Sequence, residues 1–161
     1  MNINDYFLKA FGKQSTINVK TKIEEEITEI FFKELATACA INMIASTIGK
    51  CEIRTFMDGV PQKQEEYYLL NYEPNPNENS SDFMQHFITN LLYENEALII
   101  ELNGNLYVAD SFTRRKYAFY EDVFRNIVVQ DITLQRYYSA KDVIYMQMNN
   151  INARQRLEGS Y

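Results

Sequence analysis

At 161 residues, with 46% hydrophobic and 24% charged side chains, the chain has the size and make-up of one folded domain with a substantial core. Five glycines and three prolines exclude a long low-complexity linker. A formal charge of −6, with Arg114-Arg115-Lys116 as the single dense basic run, argues against a surface built to clamp nucleic acid, since that needs a basic face to displace the counterions of phosphate.

Residues 1–20 read as an N-terminal arm, and residues 21–161 as a single α+β domain. In the arm, Phe7, Leu8 and Phe11 suit a short amphipathic turn that Gly12 and the polar stretch Lys13 to Ser15 break. Met1 to Lys20 lacks the continuous apolar region of a signal peptide. No segment reaches the roughly 18 apolar residues of a membrane span. A long helix follows, opened by capping-box spacing between Thr21 and Glu24. Its apolar residues recur at Ile23, Ile27, Ile30, Phe31, Leu35, Ala38, Ile41, Ala45 and Ile48, one stripe of three- and four-residue steps that reads as core. Gly49 is expected to end this helix in the left-handed conformation, after about 40 Å.

Cys51 to Phe56 reads as a strand, and Asp58-Gly59 as the turn behind it. Tyr67 to Leu70 is a second short element. Pro74-Asn75-Pro76 then forces an extended loop, because residues before proline avoid the helix. The second helix begins near Asn79 or Ser80, with Asp82 in its first turn and Phe83, Phe87 and Leu91 on its apolar face. From Asn95 the period changes to two. Ala97 to Leu102 and Leu106 to Ala109 pair across Asn103-Gly104, a strong type I′ hairpin signal. Further strands are expected at Tyr117 to Tyr120, Phe124 to Val129, Ile132 to Tyr138 and Val143 to Met148. The order of long helix, second helix and antiparallel meander is α+β.

Reactive constellations are scarce. Nucleophilic catalysis needs a base beside the nucleophile, and His86 is the single histidine, on an amphipathic helix without a motif around it. Cys39 and Cys51 read as buried free thiols in a reducing compartment. Two cysteines and one histidine do not make a zinc set, and Asn75 to Asp82 lacks the glycine and spacing of a calcium loop. Gly49-Lys50 is only the tail of a phosphate loop. Glu24-Glu25-Glu26 reads as a solvated helix face. No catalytic, cofactor-binding or metal-ligating residue is assigned.

Several segments in order nevertheless carry a resemblance. Ala36 to Ala45 combines a small-residue stretch with Asn42-Met43-Ile44-Ala45. Asp58-Gly59 follows after a strand. Leu69-Leu70-Asn71 and Pro74-Asn75-Pro76 come next, then a helix with Phe83 near its start and the corner Glu94-Asn95-Glu96-Ala97. Residues 30 to 161 thereby resemble the N-terminal region of the portal proteins of long-tailed phages, with "L-L-N…P-N-P" as the most specific motif. Glu94 stands where the family usually has glycine, and Tyr145 where it often has histidine. Leu157-Glu158-Gly159-Ser160 resembles the stretch before that family's next helices.

The resemblance implies a structural subunit without cofactors, part of a ring of about twelve copies at the portal vertex of the virion, assembled in the bacterial host cytoplasm. The segment would belong to the outer wing, with stem and clip missing. Partners implied are other portal subunits, capsid and scaffold proteins, terminase and tail adaptor, with DNA passing through without sequence-specific binding and no membrane. Tyr117, Phe119, Tyr120, Tyr137 and Tyr138 are candidate interface residues, with core as the competing role. The rival readings are an adaptor that binds a peptide along an uncharged sheet edge and an enzyme using His86 in a deep pocket. A portal subunit predicts instead a long exposed helix or apolar patch.

Overall fold

The computed structural model describes residues 3–148, with side chains described from Lys22 onward. Helix α1 runs over Ile3–Ile48 without interruption. Its 46 residues span about 69 Å. It continues through Gly12 and through Thr21, so neither the expected break nor the expected capping box marks an end. One glycine costs only about 1 kcal/mol relative to alanine inside a helix, too little to stop the helix-favouring residues on both sides.

The Asp58-Gly59 turn takes positive φ at both residues, 51° and 78°. It joins β1 (Thr55–Met57) to β2 (Val60–Gln62). The strand expected at Cys51 to Phe56 is therefore displaced, because only residues flanking the turn gain a partner. Ahead of β1, Ile53 is bonded instead by a side chain. Its amide donates to Asn71 Oδ1 at 2.8 Å, and Asn71 Nδ2 donates back to the Ile53 carbonyl at 2.9 Å. Tyr67 to Leu70 lies in a helix, α2 (Glu65–Asn71).

Helix α3 covers Ser80–Glu94. Asn79 Oδ1 accepts from the Asp82 amide at 3.0 Å while Asn79 Nδ2 donates to Asp82 Oδ2 at 2.7 Å. This reciprocal cap fixes the start at the expected place. At the other end Asn95 takes φ of 67°, so asparagine supplies the left-handed corner beside Glu94.

Strands β3 (Glu96–Leu102) and β4 (Asn105–Val108) form the expected Asn103-Gly104 hairpin. The chain continues through β5 (Ser111–Arg115), β6 (Val123–Val129), β7 (Ile132–Thr133), β8 (Tyr138–Ser139) and β9 (Val143–Gln147). All pairing is antiparallel. One sheet has the order β4-β3-β9; in the other, β6 pairs with β5, β7 and β8. The strand expected at Tyr117 to Tyr120 is instead loop between β5 and β6, and Ile132 to Tyr138 divides into the two short partners of β6. A bulge at Asn126, with φ of 49°, shifts the β5–β6 register.

The core has three layers. Ala97 and Ile99 of β3 pack with Phe83, Phe87, Ile88 and Leu91 of α3 and with Ala45 near the end of α1. The alternate residues Leu98 and Ile100 pack on Phe124, Ile127 and Val129 of β6. A period of two thus buries both faces of β3, which reads as an unbroken apolar run for that reason.

Gly49 lacks the positive φ expected of it. Its role is closeness. A Cβ there would lie 2.9 Å from the Ser81 carbonyl oxygen and 3.0 Å from Gln85 Cγ, so glycine lets the end of α1 approach the start of α3.

Candidate assembly surfaces

The asparagines of the Leu69 to Pro76 segment hold the scaffold together. Asn75 is 1% exposed. Its Oδ1 accepts from the amides of Asn77 and Glu78, both at 2.9 Å. Its Nδ2 donates to Glu78 Oε2 at 3.1 Å and to the Leu106 carbonyl at 2.9 Å. The Leu106 amide donates to the Pro74 carbonyl at 2.8 Å, so the loop is locked to β4. A buried amide with every bond made is a specific, rigid joint.

His86 belongs to the same region. Its Nδ1 lies 3.1 Å from Glu78 Oε1 and its Nε2 lies 3.4 Å from Asp110 Oδ1. The imidazole ties α3 to the proline loop and to the corner after β4. Each ring nitrogen faces a carboxylate, and neither partner is a hydroxyl or thiol that a base would activate. A groove of about 570 Å³ lies elsewhere, along β3 and β9, with Glu101, Asn103, Arg136, Tyr138, Lys141 and Asp142 among its walls. Among the described residues no group of three or more His, Cys, Asp or Glu is placed to hold a metal ion. No described helix is long and apolar enough to cross a membrane.

The two sheets are joined by Arg114. It meets Asp122 Oδ2 through Nη2 at 2.5 Å and Nε at 2.7 Å. Its Nη1 donates to the Tyr145 hydroxyl at 2.8 Å, and that hydroxyl donates to Glu96 Oε2 at 2.8 Å. Burial and the bond to Glu96 push the Tyr145 pKa up to about 12. The bond from Arg114 holds the Asp122 carboxyl below its ordinary value.

The surfaces left over are large. Ile23, Ile27, Phe31 and Leu35 of the α1 stripe are exposed, as is Phe32, while Ile41 and Ala45 are buried. The stripe is core only where α3 covers it. Cys39 and Cys51 are exposed as well, not buried. Cys39 lies on the uncovered part of α1, and Cys51 lies in the open turn behind it.

The aromatic candidates separate. Phe119 is 93% exposed and Tyr120 81%, and Tyr137 is exposed as well. Tyr117 is half-buried. Tyr138 is core, and its buried hydroxyl has no hydrogen-bond partner among the described residues. β9 is an edge strand without a charged residue, and Ile144 and Met146 on it are exposed. Sequence reasoning missed this edge, because Val143 to Met148 shows no sign of which neighbour it lacks. The exposed helix is the feature a portal subunit predicted, whereas the β9 edge is the one an adaptor predicted. Leu157 to Ser160 lies outside the described residues.

A search of the curated proteins finds no match to the chain. The family model described as phage portal protein matches residues 36–159, a span that takes in the end of α1, every following helix and both larger sheets. That family is structural, not enzymatic, and its members are ring oligomers associated with the capsid vertex. The match covers most of the sequence and includes the segments from Ala36 to Ala97 that carried the resemblance, so the chain belongs to the phage portal protein family.

Proposed function

We propose that this chain forms part of the wing of a portal ring through which DNA is packaged into the capsid and released from it. The observation that carries the reading is the family match over residues 36–159. The long uncovered α1 supports it, because a subunit of an assembly keeps apolar surface for its neighbours. Residues 21–161 act as one unit, with 1–20 as an arm that continues into it along α1. DNA passes without sequence-specific contact, as the −6 charge favours. Capsid, scaffold, terminase and tail adaptor are met through the whole ring, assembled in the bacterial cytoplasm. No catalytic, cofactor or metal-binding residue is required.

Immunogold labelling of purified virions, using antibodies against this chain, tests the reading. Label is expected at the single tail-proximal vertex. Label spread over the shell, or absent from virions that contain full-length portal, overturns it.

The β9 edge supports a second reading, an adaptor that adds a peptide strand beside Val143–Gln147. Amide exchange protection of β9 on mixing with a partner extract, without vertex labelling, would favour it.

A further inference from the structure

The open side of β9 presents a row of backbone groups that the register identifies. The Met148 amide donates to the Asn95 carbonyl at 2.9 Å. In the same run Met146 pairs with Ala97 and Ile144 with Ile99. Backbone groups alternate sides along a strand, so Ile144, Met146 and Met148 direct theirs to β3. The Ala109 amide donates to the Leu98 carbonyl at 2.9 Å, which turns Leu98 to β4 and leaves Ala97 and Ile99 to face β9, in agreement with that phase. Val143, Tyr145 and Gln147 therefore turn their N–H and C=O groups away from β3. Among the described residues no strand pairs with that side.

Edge strands are ordinarily guarded by charge, proline or a bulge, and β9 (Val143–Gln147) has none of these. Its two side-chain faces differ. Ile144 and Met146 share the face of Ile99 and Ala97, which α3 packs against, yet they are 47% and 46% exposed, so α3 does not cover β9. Val143 and Tyr145 lie on the other face, against the second sheet. There Arg114 donates to both Tyr145 and Gln147. The ions around this line are already bonded, Arg114 to Asp122 and Glu96 to Tyr145.

We propose that the β9 edge takes an extended, uncharged peptide of a foreign chain, added as an antiparallel strand whose side chains alternate between polar and apolar. An extended backbone is the partner that a row of outward N–H and C=O groups fits. The apolar residues of the peptide stand beside Ile144 and Met146, and the polar ones beside Val143, Tyr145 and Gln147. Charge selects against an ionic peptide: β9 is neutral, its neighbouring ions are paired, and a charge beside Ile144 or Met146 would be desolvated without a counterion. This rests on the second reading above, whose ligand it specifies by backbone, charge and pattern, and it is independent of the portal role.

The probe is a capped, uncharged peptide of alternating threonine and valine, five residues long to match β9, with threonine at both ends. Amide exchange of the full chain is followed with and without it. At a peptide concentration about ten times Kd, exchange at Val143, Tyr145 and Gln147 should slow by about tenfold, while Ile144 and Met146 should not change. N-methylation of the threonines, whose amides face β9, should abolish the effect, and N-methylation of the valines should leave it. Ile144→Lys with Met146→Lys should weaken binding by on the order of tenfold, and thermal melting checks that this variant folds. Equal slowing at Ile144, indifference to the place of N-methylation, or no slowing at all overturns the inference. So does slow exchange at Val143, Tyr145 and Gln147 in the free chain, which would mean that its own residues cover the edge. Protection that rises with the concentration of the chain alone assigns the edge to a second copy and overturns it as well. Protection by a partner extract but not by this peptide overturns the inference and leaves the adaptor reading standing; virion labelling is unaffected by either result.

Discussion

Arg114 of β5 and Tyr145 of β9 meet through a 2.8 Å hydrogen bond that crosses between the two larger sheets. Arg114 also lies over the Tyr145 ring, its Cζ 4.4 Å from the centroid. Asp122 and Glu96 complete the line, so one guanidinium fixes the loop before β6 and the last strand together. Burial opposes the arginine charge, but the bonds to Asp122 and Tyr145 outweigh it and raise its pKa. Arg114→Ala is expected to lower stability by about 2 kcal/mol, since it strips charged and phenolic partners at once. Tyr145→Phe should cost about 1 kcal/mol, one hydroxyl's worth. Urea denaturation measures both, and equal small effects would show that the joint is not structural.

The same pair sets an alkaline limit. Tyr145 is raised from 10.0 to about 12 by burial first and by Glu96 second. A raised phenol stabilises the fold while protonated, so its contribution is complete below pH 10.0 and lost as pH climbs toward about 12. Asp122 works in the other direction: its lowered pKa contributes stability above its ordinary 3.8, and that is lost as pH falls below it. The stability gap between the wild-type chain and Tyr145→Phe should therefore shrink across the alkaline window. Denaturation curves collected at several pH values check this.

Asn75 makes four hydrogen bonds from a buried amide, three within the proline loop and one to the Leu106 carbonyl of β4. Asn75→Ala is expected to cost about 3 kcal/mol, because the Leu106 carbonyl and two loop amides lose their partner. Asn75→Asp should be worse, as a carboxylate would then face Glu78 and a carbonyl oxygen. Asn77→Ala, at an exposed position, should change stability by less than about 0.5 kcal/mol. Melting temperatures of the three variants give the order.

Gly49→Ala tests the close approach of α1 to α3. The added methyl meets a backbone oxygen at 2.9 Å, so one helix must move. A loss of about 1–3 kcal/mol is expected. Alanine otherwise favours helix, so a stabilised variant would show that the approach is loose.

The local chemistry of the chain was legible before the fold. Asn103-Gly104 and Asp58-Gly59 announced their hairpins, since both residues of such turns need positive φ. Asn79 and Asp82 marked the start of α3 because they satisfy each other's end of the first turn. The "L-L-N…P-N-P" segment could be matched to a family, but not understood. Its physical content is Asn71 standing in for a strand and Asn75 bonding to Leu106, thirty-one positions away in the chain.

Misreadings had a common source. The α1 periodicity predicts a core stripe and a buried Cys39, yet Ile23 to Leu35 and Cys39 are exposed, because periodicity shows where a face is but not whether anything lies against it. Tyr117 to Tyr120 had the residue types of a strand, yet Phe119 and Tyr120 ended in a loop. A strand needs a partner at the right register, and β6 took Ser111–Arg115 instead.

The sequence by itself determined the start of α3, the β3–β4 hairpin, where the tight turns fall, and which family the chain joins. These depend on neighbours a few positions apart. Only the tertiary structure decided that both faces of β3 are buried, that Arg114 bridges the sheets, and that the α1 stripe stays uncovered from Ile23 to Leu35. Those outcomes depend on which distant surfaces meet, and burial is a property of the pair that meets, not of either segment alone.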